Sequence, residues 1–205
     1  MSEDSYDLEA GNICLDFANT SNWHASEHPQ ESLHSFSDLV SFARAANLLT
    51  AEAADQLSRL AIENPSVTQP AYEAAIQLRE AIYHIFSNRY AGMPLADKDL
   101  GILNSVVKDA MAHRTLVQAG ERLQWQWNAG GDDTRLITWT VGLAAADLLT
   151  SETVQRVREC EDDRGCGYLF VDMSKNHSRR WCSMESCGNR AKARRHYTRS
   201  KSEQG

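Results

Sequence analysis

Residues 160–187 read CEDDRGCGYLFVDMSKNHSRRWCSMESC, and four of the chain's five cysteines fall inside this stretch. Cys160, Cys166, Cys182 and Cys187 stand in the pattern C-x5-C-x15-C-x4-C, two short pairs separated by a longer span. A chain assembles a tetrahedral zinc site in this way, because each pair brings two thiolates together and the span lets the pairs meet. Four soft, strongly donating sulfurs close the shell and leave no position for a reacting water, so the spacing predicts a structural Zn2+ and not a catalytic one. The flanks, ECEDDRGCG and RRWCSMESCGN, are polar and unlike the surroundings of buried core thiols. Gly165 and Gly167 free the backbone to turn around Cys166, and Gly188 is expected to do the same after Cys187. Residues 168–171 read as a strand leaving the first pair, and Cys187 is placed near the start of a helix, whose dipole favours a thiolate. His177 and His196 have the chemistry to replace a cysteine, but four sulfurs already complete the shell.

Beyond the last cysteine, GNRAKARRHYTRSK (188–201) is rich in helix formers and basic residues. On a helix, Arg190, Arg194 and Lys201 form one stripe, and Lys192, Arg195 and Arg199 form a second on nearly the opposite side. A helix basic on two sides, without an apolar stripe, gains little by packing on a core, so an anionic partner is expected. Charge is divided accordingly. Residues 174–205 carry nine Lys/Arg against Glu185 and Glu203, a net of +7, so the remainder of a chain of net charge -7 sums to -14. The overall pI of 5.5 therefore conceals a basic tail on an acidic body, and nucleic acid is attracted only by the tail. The candidate nucleic-acid-binding residues are Arg179, Arg180, Asn189, Arg190, Lys192, Arg194, Arg195 and Arg199. Each phosphate they neutralise releases a counterion and makes binding salt-dependent. Arg190, Asn189 and His177 also have the chemistry to read base edges.

Duplex DNA is the expected partner. Single-stranded RNA, on which Tyr197 and Trp181 would stack, is the second reading. A protein-interaction module and a solvated charged tail are further alternatives; zinc anchoring argues against the tail, which needs no anchor.

The rest of the chain reads as a mainly helical domain. Hydrophobic residues at 42% and charged residues at 24% match a globular protein. GNICLDFANTSNW (11–23) fits a strand or a buried helical turn, with Cys14 as a small core residue. Leu39, Phe42, Ala43, Ala46 and Leu49 recur at helical spacing, and Thr50 suits the N-cap of a following helix carrying Ala53, Leu57, Leu60 and Ala61. ENPSVTQP (63–70) reads as a loop. Pro70 then opens a longer helix with Ala75, Leu78, Ile82, Ile85 and Phe86 on its core face, closed by Gly92 and Pro94. Leu100, Leu103, Val107, Ala110 and Met111 line one side of the next. TLVQAGERLQWQW (115–127) changes to strand periodicity around Gly120 and predicts a small hairpin, and TRLITWTVGLAAADLL (134–149) suits a helix buried on several sides. The fold expected is mainly α: a helical domain with a β-hairpin over residues 1–153, then a zinc finger module of knuckle, short strand and basic helix over 154–205.

No apolar stretch approaches the ~20 residues that span a bilayer, and the acidic start is unlike a signal peptide, so no membrane partner and a cytoplasmic location are expected. An odd number of cysteines also suits reduced thiols in that compartment. HExxH, GxSxG, P-loop and dinucleotide fingerprints are missing, so no enzymatic activity is expected. Asp16, Asn19 and His24 are polar and close in sequence and could line an effector pocket, or could serve as turn and capping residues. An unidentified small-molecule effector and a homodimer are the remaining partners left open.

RRWCSMESCGNRAKARRHY, centred on Cys187-Gly188-Asn189-Arg190, resembles the CGNR zinc finger. GNICLDFANT resembles the start of the ABATE domain, the mostly helical domain found ahead of that finger in bacterial proteins described as stress-induced transcription regulators. The resemblance implies zinc held by Cys160, Cys166, Cys182 and Cys187, DNA binding by the finger, and a role in transcription regulation. The first pair, CEDDRGC, is expected to be one residue longer than is common in the family, which bears on the knuckle's shape and not on its ligands.

Overall fold

Asn12, in extended backbone, accepts the Cys14 N–H and starts α1 (Ile13–Ala18). This segment is therefore helix and not strand. Five of its six residues, Cys14 through Ala18, are buried, so the apolar alternation there reflects a helix enclosed on nearly every side. Burial and the neighbouring Asp16 carboxylate push the Cys14 thiol well above its ordinary pKa, in keeping with an inert core residue. The structure, a computed structural model, describes residues 6–202; the side chains of residues 195, 196 and 198–202 lie outside the described set.

Two short antiparallel strands, β1 (Ser21–Asn22) and β2 (Gln30–Glu31), follow α1. Ser35 caps α2 (Phe36–Ala45) by accepting the Asp38 N–H, and Thr50 caps α3 (Ala51–Glu63) by accepting the Ala53 N–H, as its residue type predicts. The run at 63–70 is not a loop. After a break at Asn64, α4 (Pro65–Tyr90) begins at Pro65, which stands where a helix needs no N–H, and Pro70 lies inside its second turn. Gly92, at φ +68, turns the chain out of α4 as expected.

Helix α5 (Asp97–Ala112) buries Leu103 and Ala110 but leaves Met111 47% exposed, so that residue belongs to the outer side. The predicted hairpin forms from β3 (Arg114–Ala119) and β4 (Arg122–Trp127), with Leu116 opposite Trp125. Its root is anchored where Trp127 stacks on Trp139 of α6 (Leu136–Thr150), 5.3 Å between ring centres, and the Trp139 Nε1–H donates to Asp109 at 2.7 Å. Its outer residues Leu116, Leu123 and Trp125 are exposed.

The main core joins Leu15 and Phe17 of α1, Leu39 and Phe42 of α2, Leu78, Ile82 and Phe86 of α4, and Ile137 and Val141 of α6. Each fully buried side chain of this kind contributes about 1.5–3 kcal/mol of transfer free energy. Leu136, Trp139 and Leu143 face a second cluster with Ala110, which is why α6 is apolar nearly all round. Arg79 of α4, almost fully buried, ties β2 to the helices through Glu31 at 2.5 and 2.7 Å and through Glu80 at 2.8 Å.

A 3-10 turn (Glu152–Arg156) leads to β5 (Val157–Glu159), paired antiparallel with β6 (Leu169–Val171). Val157, Leu169 and Val171 lie in the same core as α1 and α4, so the hairpin that carries the first cysteine pair is built into the helical body. One π-helical turn (Met184–Gly188) then runs directly into α7 (Asn189–Ser202). Among the described residues no helix is long and apolar enough to cross a membrane.

Candidate metal centre and nucleic-acid interface

The fold brings the four predicted sulfurs together. Cys160 follows β5, Cys166 sits in the knuckle before β6, Cys182 lies in the returning loop and Cys187 in the π-helical turn. Their Sγ atoms all lie within 4.8 Å of one another, with Cys166–Cys182 at 3.8 Å and Cys182–Cys187 at 3.5 Å. Sulfurs bound tetrahedrally at the usual zinc distance stand about 3.8 Å apart, so the cage has the size of a Zn2+ site. As free thiols the four do not share charge well. Hydrogen bonds from Cys166 and Cys182 pull the Cys160 pKa far down, and the same contacts push Cys166 and Cys182 up. A dication removes that conflict, because coordinated thiols all ionise. The Cys182 N–H (3.4 Å to the Cys160 sulfur) and the Arg190 guanidinium (2.8 Å to the Cys187 sulfur) donate to the cage.

The knuckle owes its shape to Gly165 and Gly167, at φ +85 and +67. Side chains there would also collide with the helical body: a Cβ at Gly165 would lie 2.7 Å from the Ala25 carbonyl oxygen, and one at Gly167 2.7 Å from the Tyr83 hydroxyl. Gly188 has no such backbone, and a Cβ there would stand 2.9 Å from the Met184 sulfur, which belongs to a flexible side chain that can move aside. His177 stands exposed and outside the sulfur cage, and the His196 side chain lies outside the described residues.

Asp162, which sequence reasoning passed over as part of a polar flank, organises the basic helix. Its carboxylate is fully buried and pairs with Arg164 (3.3 Å), Arg190 (3.2 Å) and Arg194 (3.1 Å); Arg194 also pairs with Asp163. Burial alone would raise the Asp162 pKa, but the Arg164 and Arg194 contacts hold it well below the carboxylate range. The Arg164 and Arg190 guanidinium groups also lie over the Trp23 ring, at 5.0 and 5.2 Å from its centre. The Arg190–Arg194 stripe is thus turned toward the body of the protein.

The other candidates divide in the same way. Arg179 caps the Trp181 and Cys182 carbonyls and lies over Phe170, so it braces the knuckle. Arg180 is exposed and pairs with Glu161. Asn189 and Lys192 are exposed on α7, and the Asn189 amide reaches back to the Glu185 carbonyl at 3.2 Å. The side chains of Arg195 and Arg199 lie outside the described residues.

Asp16, Asn19 and His24 each use their polar groups internally. The Asp16 carboxylate accepts the Ala10 N–H at 2.9 Å, and burial raises its pKa to about 6. The Asn19 amide bridges both backbone groups of Leu169, donating to its carbonyl and accepting its N–H, each at 2.9 Å. His24 stacks on Tyr83 and lies 2.9 Å from Glu80, whose carboxyl burial would raise but which the His24 hydrogen bond and the Arg79 charge hold down to about 2. Asp16 and Asn19 do share a cavity of about 150 Å³, which His24 does not line and which is smaller than ordinary ligand pockets.

Asn19 is one stitch in a seam between the helices and the finger. Ser87 donates to Glu159 at 2.6 Å, Tyr83 to the same carboxylate at 3.3 Å and Tyr90 to Glu161 at 3.4 Å.

Two family models match the chain. Residues 11–152 match ABATE, described as "Putative stress-induced transcription regulator", and residues 156–200 match the CGNR zinc finger, which fits the four-sulfur cage as its zinc site. No curated protein matches the chain.

Proposed function

Since the chain belongs to the ABATE family of "Putative stress-induced transcription regulator" proteins and carries a CGNR zinc finger, we propose that it is a bacterial, cytoplasmic regulator that binds duplex DNA through α7. The observation that carries this reading is the direct run from the turn holding Cys187 into α7, whose first exposed side chains are Asn189 and Lys192. In this reading zinc sets the helix direction, Arg190 and Arg194 fasten the helix to Asp162, and the opposite stripe faces phosphate. Asn189 stands at the helix start, where a side chain with paired amide groups could meet an adenine edge. No reaction is assigned to the helical domain.

The test is fluorescence anisotropy of labelled duplex DNA with the zinc-loaded full chain at several salt concentrations. The reading predicts affinity that falls steeply with salt, a slope reduced by about one on Lys192→Ala, and little change in the zinc content of that variant. Salt-insensitive binding, or single-stranded RNA outcompeting the duplex, would reject it in favour of another partner.

A further inference from the structure

We propose that a cleft at the seam between α4 and β5 binds a small phosphate monoester carrying an apolar group. The cleft has a volume of about 310 Å³, and its floor is the buried Phe86, Val154 and Val157. Arg89, near the end of α4, and Arg158, on β5, stand on its lining. A wider groove of about 770 Å³ shares Arg158 and Gln155 with it and adds Arg156 and His177. Glu152 is the single carboxylate lining either space, and none of the three arginines forms an ion pair among the described residues.

That distinguishes them from Arg79, Arg135, Arg164, Arg180 and Arg190, each of which is held by a carboxylate. Arg158 is nonetheless oriented. One of its terminal nitrogens donates to the Gln155 and Val157 carbonyls at 2.8 and 3.0 Å, and its other N–H groups make no hydrogen bond to the described residues. A guanidinium pinned at one edge presents the rest of its fork to a ligand, the arrangement that suits phosphate. Two unpaired cations on the cleft lining, with Arg156 in the adjoining groove, favour a dianion over a carboxylate. Phe86, Val154 and Val157 give the largely polar lining a small apolar patch, which favours an organic group over inorganic phosphate, and the concave shape and modest volume fit a small molecule better than a duplex. Since the lining comes from both α4 and β5, the strand that Cys160 follows, occupancy would fasten the helical body to the finger.

The experiment is titration calorimetry on the zinc-loaded full chain with phenyl phosphate, inorganic phosphate and benzoate as probes. Phenyl phosphate should bind saturably, about tenfold more tightly than either other probe, and the paired variant Arg89→Ala/Arg158→Ala should weaken it at least tenfold with unchanged zinc content and circular dichroism. No saturable phenyl phosphate binding, equal binding of all three probes, or an unaltered affinity in a folded paired variant would overturn the proposal. If the paired variant misfolds, Arg158→Ala and Arg89→Ala singly must each weaken phenyl phosphate. Loss of duplex affinity in these variants without phenyl phosphate binding by the parent chain would place the arginines in a DNA footprint and also overturn it. Phenyl phosphate binding is read without DNA, so it stands or falls separately from the DNA-binding reading.

Discussion

Replacing Asn19 with alanine should loosen the finger from the helical body although no zinc ligand is touched. The Asn19 amide satisfies the N–H and the carbonyl of Leu169, both at 2.9 Å, and Leu169 is fully buried. Truncation therefore leaves a donor and an acceptor of β6 without partners, at about 1–3 kcal/mol each. The cavity of about 150 Å³ beside Asn19 can admit water to the vacated position, which favours the lower end of that range, a total of about 2–3 kcal/mol. In a chain of this size the melting temperature should fall by about 4–12 °C. Thermal unfolding of the zinc-loaded protein by circular dichroism, with urea denaturation alongside, measures it. The shared core further predicts one cooperative transition for the parent chain. A loss below about 0.5 kcal/mol, the scale of an ordinary surface substitution, or a finger that melts separately in the parent would refute the account of the seam.

Asp162→Asn keeps the shape but removes the charge that Arg164, Arg190 and Arg194 share, and those arginines are partly exposed and can turn to water. We expect a loss of about 2 kcal/mol in urea denaturation, together with a steeper salt dependence of duplex binding as the released guanidinium groups reach phosphate; unchanged stability would show that the pairing is incidental. For Asp16, burial raises the pKa from 3.8 to about 6, so between those values the folded state holds more protons than the unfolded chain. Stability should therefore decline as pH rises from about 4 to about 6 and level off above, and Asp16→Asn should flatten that segment of a urea-midpoint profile. Parallel profiles for the two proteins would contradict the burial argument.

The elements legible in the sequence are those in which period and chemistry agree locally. Thr50 caps the helix its residue type suggests, the alternation around Gly120 gives the β3–β4 hairpin, and the cysteine spacing gives the metal cage. The start of α4 was hidden because proline reads as a breaker, although Pro65 stands where a helix tolerates it. Helix α1 was ambiguous because enclosure on all sides erases the polar face that marks a helical period. Met111 shares the apolar stripe of α5 yet is left outside, since nothing in the stripe says how far the neighbouring helix reaches.

In the site, the sequence reveals that α7 is basic on two sides but not which side turns inward. That choice is made by Asp162, which lies 28 residues before Arg190 and 32 before Arg194, and by Trp23 from the far end of the chain. The acidic run in the knuckle was the available signal: carboxylates placed between zinc ligands and followed by a basic helix are natural partners for its arginines. The Asn19–Leu169 bridge, across 150 residues, leaves no local trace at all.

The central claim is that one zinc ion held by Cys160, Cys166, Cys182 and Cys187 positions α7 for duplex DNA. Its most direct test measures zinc content and duplex affinity together, on the parent chain, on the same chain after chelation, and on Cys187→Ser. The account predicts one zinc per parent chain, and loss of both the metal and the salt-dependent duplex binding in the other two samples, with binding restored when zinc is returned to the chelated chain. Duplex binding of undiminished affinity in the metal-free protein would contradict it.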